Sequence, residues 1–196
     1  MGDPFLSLPG AVAAEGLGVP RHFGSPLAEQ RALERGGAVL SLAHRGVLVV
    51  TGEDRLSWLG SMTSQQLVGL APGESAETLL LDPNGRIEHA IRVVDDGERS
   101  WLLVDEGEAA DLAAYLTRMR FALRVGVEDA SSEWVAVLAF EGGAALPALR
   151  GLGRAAAEWR DPWSAVARGG VQYARGEHPG AGWWATQLVF RREDLP

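Results

Sequence analysis

The chain has 196 residues, 46% hydrophobic and 22% charged, with a formal net charge of −8. Such a length suits one large domain or two small ones and can bury a sizeable core. The acidic balance and scattered arginines exclude a nucleic-acid or anionic-membrane surface, since both need a basic face. The absence of cysteine excludes disulfides, thiolate catalysis and Cys-based metal sites within these residues.

His22, His44, His89 and His178 are far apart and form no His-x-His or His-x-x-x-His pair, which predicts no zinc site. The Ala11–Ala14 patch is too short for a secretory leader, and no run approaches the roughly 18 apolar residues of a membrane span. A cytoplasmic location is expected.

In chain order, residues 1–26 are dense in proline and glycine and read as an extended arm. Leu27 to Glu34 predicts a short helix stopped by Gly36-Gly37. Ala38–Leu42 and Gly46–Thr51 predict two strands, the second buried on both faces because Val47, Leu48, Val49 and Val50 run without a break. Gly52-Glu53-Asp54 opens a helix carrying Leu56, Leu59 and Met62 on one stripe, read as core packing.

The clearest local signal is the hairpin Glu77–Val94. Pro83 presets φ, Asp82 caps the turn and Gly85 accepts a positive φ. Alternation along the second strand puts Ile87, His89, Ile91 and Val93 on one face, where His89 is the odd member. It is either a core histidine tied to a backbone carbonyl or part of a site.

Asp95-Asp96-Gly97 is a second tight turn leading to a strand at Trp101–Val104, which completes a meander. Glu108 to Met119 predicts a helix with Leu112, Tyr115, Leu116 and Met119 on its apolar stripe. Leu123–Val127, Trp134–Phe140 and Trp183–Phe190 predict further strands. A short helix is expected near Ala144–Leu152, cut by Pro147, and 153–182 carries no clear signal. Ending on a strand and the opening of a helix predicts an incompletely represented protein. The mixture, without strict βαβ alternation, predicts an α+β fold, and no glycine-rich nucleotide motif follows any strand.

Several linked segments resemble one superfamily. Ser41-Leu42-Ala43-His44-Arg45-Gly46, the apolar strand after it and Gly52-Glu53-Asp54 resemble the folate-binding aminomethyltransferase superfamily. That group holds the T-protein of the glycine cleavage system and the YgfZ-type folate-binding proteins linked to iron–sulfur cluster maintenance. Trp58-Leu59-Gly60-Ser61-Met62-Thr63 is similar to the YgfZ-type branch, as are His22-Phe23-Gly24-Ser25-Pro26-Leu27 and Leu81-Asp82-Pro83-Asn84-Gly85-Arg86. The likeness is good over 20–105 and looser over 106–196.

The resemblance implies an α+β T-protein-like folate-binding fold, with antiparallel sheets, flanking helices and a ferredoxin-like lobe. It implies an arm over 1–26, a first lobe over 27–130 and the start of a second over 131–196. It also implies tetrahydrofolate or a derivative as cofactor, and iron–sulfur proteins as partners.

Where the T-protein hairpin carries a Gly-Gly-x-x-Asp-Asp pattern, Gly85 to Ala90 stand here, and His89 and Ala90 fill the two aspartate positions. Transferase chemistry needs an anion beside a developing iminium, so no catalytic residue is expected. The branch's Lys-Gly-Cys-Tyr-x-Gly-Gln-Glu motif is absent as well.

Four residues are the expected cofactor contacts. His89 would line the folate channel, and Ala90 would form its wall. Arg45, replacing a T-protein methionine, would meet a folate carboxylate or else sit in a surface pair. Glu77 replaces a ligand-stacking tyrosine, or is an exposed strand-edge residue. His44 is expected to fix the turn into the Gly46 strand. Folate-binding maintenance of iron–sulfur proteins is thus expected, with a T-protein-like aminomethyltransferase or a ligand-free scaffold as alternatives.

Overall fold

The computed structural model describes residues 2–195. Eleven strands and four α-helices form an α+β structure of antiparallel sheets. The strands are β1 (Val12–Ala13), β2 (Pro20–His22), β3 (Val39–Ser41), β4 (Gly46–Thr51), β5 (Ser75–Leu81), β6 (Ile87–Asp95), β7 (Arg99–Val104), β8 (Gly126–Asp129), β9 (Trp134–Phe140), β10 (Ala157–Arg160) and β11 (Ala185–Arg191). The helices are α1 (Pro26–Glu34), α2 (Arg55–Met62), α3 (Ala109–Met119) and α4 (Ala145–Gly151).

The five-stranded sheet runs β5-β6-β7-β4-β8 and the four-stranded sheet β10-β11-β9-β3. The two face each other, and helices cover their outer faces. Leu48, Val50, Leu80, Ile91, Val93, Leu102 and Val104 pack under Trp58 and Leu59 of α2 and Leu112 and Leu116 of α3. Fully burying each leucine contributes about 1.5–3 kcal/mol. Between the sheets lie Val47, Val49, Val94, Trp101 and Leu103 from one side and Ala136, Trp159 and Val189 from the other. Val137, Leu188 and Phe190 form the outer face of the smaller sheet against Leu146 and Leu149 of α4. Alternate residues of β4 thus serve two different cores, which accounts for its unbroken apolar run.

The expected helices and the meander β5-β6-β7 form, with shifts at their ends. Pro147 does not cut α4, because it stands in the first turn, where a missing N–H costs no intrahelical bond. The strand expected at Leu123–Val127 begins later, at Gly126. The arm is not simply extended: it contains a 3-10 turn at Pro4–Ser7 and the pair β1–β2. Arg192–Asp194 forms a single 3-10 turn. β3 crosses from the first half of the chain to pair with β9. No helix among the described residues is long and apolar enough to cross a membrane.

One expectation about the hairpin is corrected. His89 pairs with Leu80, but Ile87 pairs with Leu81, so β6 holds a bulge at Glu88. Leu80 and Leu81 face opposite ways, and Ile87 therefore leaves the face that His89 shares with Ile91 and Val93. The exposures agree: Ile87 is 61% exposed and Ile91 1%. The turn forms as expected, with Gly85 at φ +79 and Asp82 accepting from the backbone N–H of Asn84 and Arg86.

Candidate ligand site where the sheets part

On the inter-sheet face of β6, Val94, Arg92 and Ala90 alternate outward from the core. Arg92 stands opposite Glu77 of β5 and Leu103 of β7. Asp105, just past the end of β7, receives two guanidinium groups on one oxygen. Arg92 Nη1 donates to its Oδ1 at 3.3 Å, and Arg45 Nη1, just before β4, lies 3.5 Å from the same atom. Three segments distant in sequence thus converge because β6, β7 and β4 are adjacent strands.

The smaller sheet supplies the facing wall. Leu40, Leu138, Gln187 and Trp159 form one row across β3, β9, β11 and β10. The indole of Trp159 donates to the Ala76 carbonyl at 2.9 Å, and the Arg92 guanidinium sits 5.9 Å from its ring centroid. This cation–π contact and the Asp105 bond fix the Arg92 head from two sides. Trp163, following β10, donates its indole N–H to Glu77 Oε2 at 2.6 Å. Gln187 is 3% exposed, yet its Oε1 has no partner among the described residues. A buried, unpaired acceptor costs roughly 1–3 kcal/mol.

Burial, and next the charge of Arg92, pulls Arg45 below the usual arginine range, while Asp105 pulls it back up. One carboxylate shared by two guanidinium groups leaves positive charge over. The larger cavities lie elsewhere: one of about 460 Å³ borders Arg191–Glu193 and the N-terminal segment, and one of about 440 Å³ borders Asp95, Asp96 and Glu158. Neither touches Arg45 or Arg92. The polar cluster, with its unfilled hydrogen-bonding capacity, is the chemically better candidate.

The expected residues divide between two faces. Arg45, Glu77 and Ala90 belong to the inter-sheet side. His89 does not share that wall: it points to the helix-covered side, where Nδ1 lies 3.0 Å from Glu108 Oε2 at the start of α3. Among the described residues it is also not tied to a backbone carbonyl. His44 does not fix its turn through Nδ1, which is buried and unpartnered; the Arg45 N–H to Leu42 carbonyl bond closes that turn. Arg92, Asp105, Trp159, Trp163 and Gln187 were not singled out by sequence reasoning. A polar residue inside the apolar run Trp183–Phe190 was the available signal for Gln187.

Comparison with solved structures finds the glycine cleavage system aminomethyltransferase T from Bartonella henselae, with a TM-score of 0.67 over 94% of this chain and 51% of that one, at 14% identity. The fold is that of the T-protein superfamily. Sequence comparison supports the same superfamily: an aminomethyltransferase from Thermus thermophilus is 31% identical over 137 residues, 68% of this chain and 38% of that protein. A Bacillus subtilis aminomethyltransferase is 26% identical over 137 residues, 70% of this chain and 38% of that protein. This chain thus spans less than two fifths of the length of those relatives. No family model matches it.

Within the T-protein fold, the hairpin segment expected to carry two aspartates presents His89 to one face and Ala90 to the other. The next residue of β6 on the inter-sheet face is Arg92, a cation opposite Glu77.

Proposed function

We propose that this chain is the folate-binding part of a YgfZ-type protein that serves iron–sulfur cluster maintenance without aminomethyl transfer. The observation that carries this reading is the pair Ala90 and Arg92 on the inter-sheet face of β6. A developing iminium needs a fixed anion beside it. Here an alanine offers none, and the carboxylates on this face, Glu77 and Asp105, are engaged by the Trp163 indole and by the two guanidinium groups. The same surroundings suit tetrahydrofolate, which brings carboxylates for Arg45 and a flat ring system for the exposed Trp163.

The iron–sulfur role rests on the resemblance of the Trp58–Thr63 and Leu81–Arg86 segments to that branch. With no cysteine, this chain supplies no thiolate to a cluster, so its contribution runs through the bound folate. Binding of tetrahydrofolate to the 196-residue chain, followed by tryptophan fluorescence and calorimetry, is the expected result. Silence in both at millimolar ligand would overturn the folate reading.

A one-carbon transferase is the second reading, favoured by the name the relatives carry. Release of methylenetetrahydrofolate from an aminomethyl donor by this chain would establish it over the first.

A further inference from the structure

The two arginines of the cluster compete for one carboxylate. Arg92 and Arg45 both approach Asp105 Oδ1, at 3.3 and 3.5 Å. The other acidic side chains close by are engaged. Glu77 accepts from the Trp163 indole, and Glu108 pairs with His89 on the opposite side of the sheet. Neither lies within ion-pair distance of the guanidinium groups among the described residues. Asp105 itself is half exposed, with its side chain 48% accessible, whereas those of Arg45 and Arg92 are 29% and 17%. The cations are thus more buried than the anion between them.

We infer that Arg45 and Arg92 form a clamp for a carboxylate of the ligand's glutamyl end, with Asp105 occupying the clamp until the ligand displaces it. This rests on the folate reading above and adds which part of the molecule this site selects. Trp159 keeps Arg92 in place through the ring beneath its guanidinium, so one arm of the clamp is set before the ligand arrives. The lowered proton affinity of Arg45, caused by burial and then by Arg92, accords with positive charge in excess at this point. A planar guanidinium pair suits a carboxylate because each can offer two parallel N–H groups.

The test compares tetrahydrofolate with the primary amide of tetrahydropteroate, which keeps the ring system and has neither the glutamate nor any other carboxylate. Each is titrated into the full chain by calorimetry. Tetrahydrofolate should bind about tenfold or more tightly than this amide, as loss of one charge-assisted contact implies. Arg92→Gln should bring the two affinities to within about twofold of each other, with the circular dichroism spectrum unchanged. Asp105→Asn frees both cations and should tighten tetrahydrofolate binding, an effect that a merely structural Asp105 would not give.

Equal binding of the two ligands to the wild-type chain would overturn the clamp and leave the folate reading standing. Weaker tetrahydrofolate binding by Asp105→Asn, in protein with an unchanged spectrum, would also overturn it. Binding of neither ligand would overturn the folate reading and the clamp together.

Discussion

Arg55 and Asp95 form a two-pronged ion pair, with Nε to Oδ2 and Nη2 to Oδ1 both at 2.8 Å, that joins α2 to the end of β6. Asp95 is 1% exposed, and its remaining capacity is met by the Ser100 hydroxyl at 2.7 Å and the Gly97 N–H at 2.9 Å. Burial, the largest single influence, pushes the Asp95 carboxyl upward, but the bonds from Arg55, Ser100 and Gly97 together hold it below the ordinary carboxylate range.

A depressed folded-state value means that the unfolded chain takes up the proton first as pH falls. The pair's contribution is therefore fully present above the unfolded carboxylate value of about 3.9. It drains away as pH drops through the lower folded value. Urea titrations at a series of acidic pH values should show this loss, and Asp95→Asn should remove part of the dependence, since Asp54, Asp82 and Glu158 are also held low by their hydrogen bonds. At neutral pH that substitution should cost about 3 kcal/mol, because the Arg55 charge is left without its partner. A cost under about 0.5 kcal/mol would show the pair to be dispensable.

His89 and Ala90 give a paired prediction. Because His89 turns toward Glu108 and away from Arg92, His89→Leu should leave tetrahydrofolate affinity within about twofold of wild type. It should change stability by about 1 kcal/mol or less, the range for a part-exposed pair. Ala90→Leu instead adds bulk to the ligand-side face and should weaken binding about tenfold. The reverse ranking would place the ligand on the helix side of the sheet.

The hairpin was legible because its determinants are local. Proline, asparagine and glycine in order fix the turn whatever lies around it. The stripe on α3 was equally plain, since helical spacing alone defines it. The bulge at Glu88 was not legible, because strict alternation looks the same with or without one extra unpaired residue. The Arg45–Asp105–Arg92 cluster was hidden for another reason: it exists only once β4, β7 and β6 lie side by side, and no spacing in the sequence encodes that adjacency. β10 escaped because four residues, two of them charged, give too short a pattern between a glycine-rich approach and Pro162.

Gln187 predicts a conflict between stability and binding. Its unpaired Oε1 is an uncompensated cost in the empty protein. Gln187→Leu should therefore raise the unfolding free energy by about 1 kcal/mol. The same change should weaken tetrahydrofolate binding if the oxygen meets a ligand donor. Thermal unfolding with and without ligand separates the two effects. A variant that is less stable and binds unchanged would show that Gln187 is satisfied inside the protein.

The extra residue in β6 has a consequence for how this hairpin can change over time. Beyond the bulge the tip is geared independently of the base. Removing Glu88 would restore simple alternation, with Ile87 still opposite Leu81 and His89, Ala90 and Arg92 in their places. One codon gained or lost there thus alters the local bend and twist of the hairpin, while the pairs on either side of it persist.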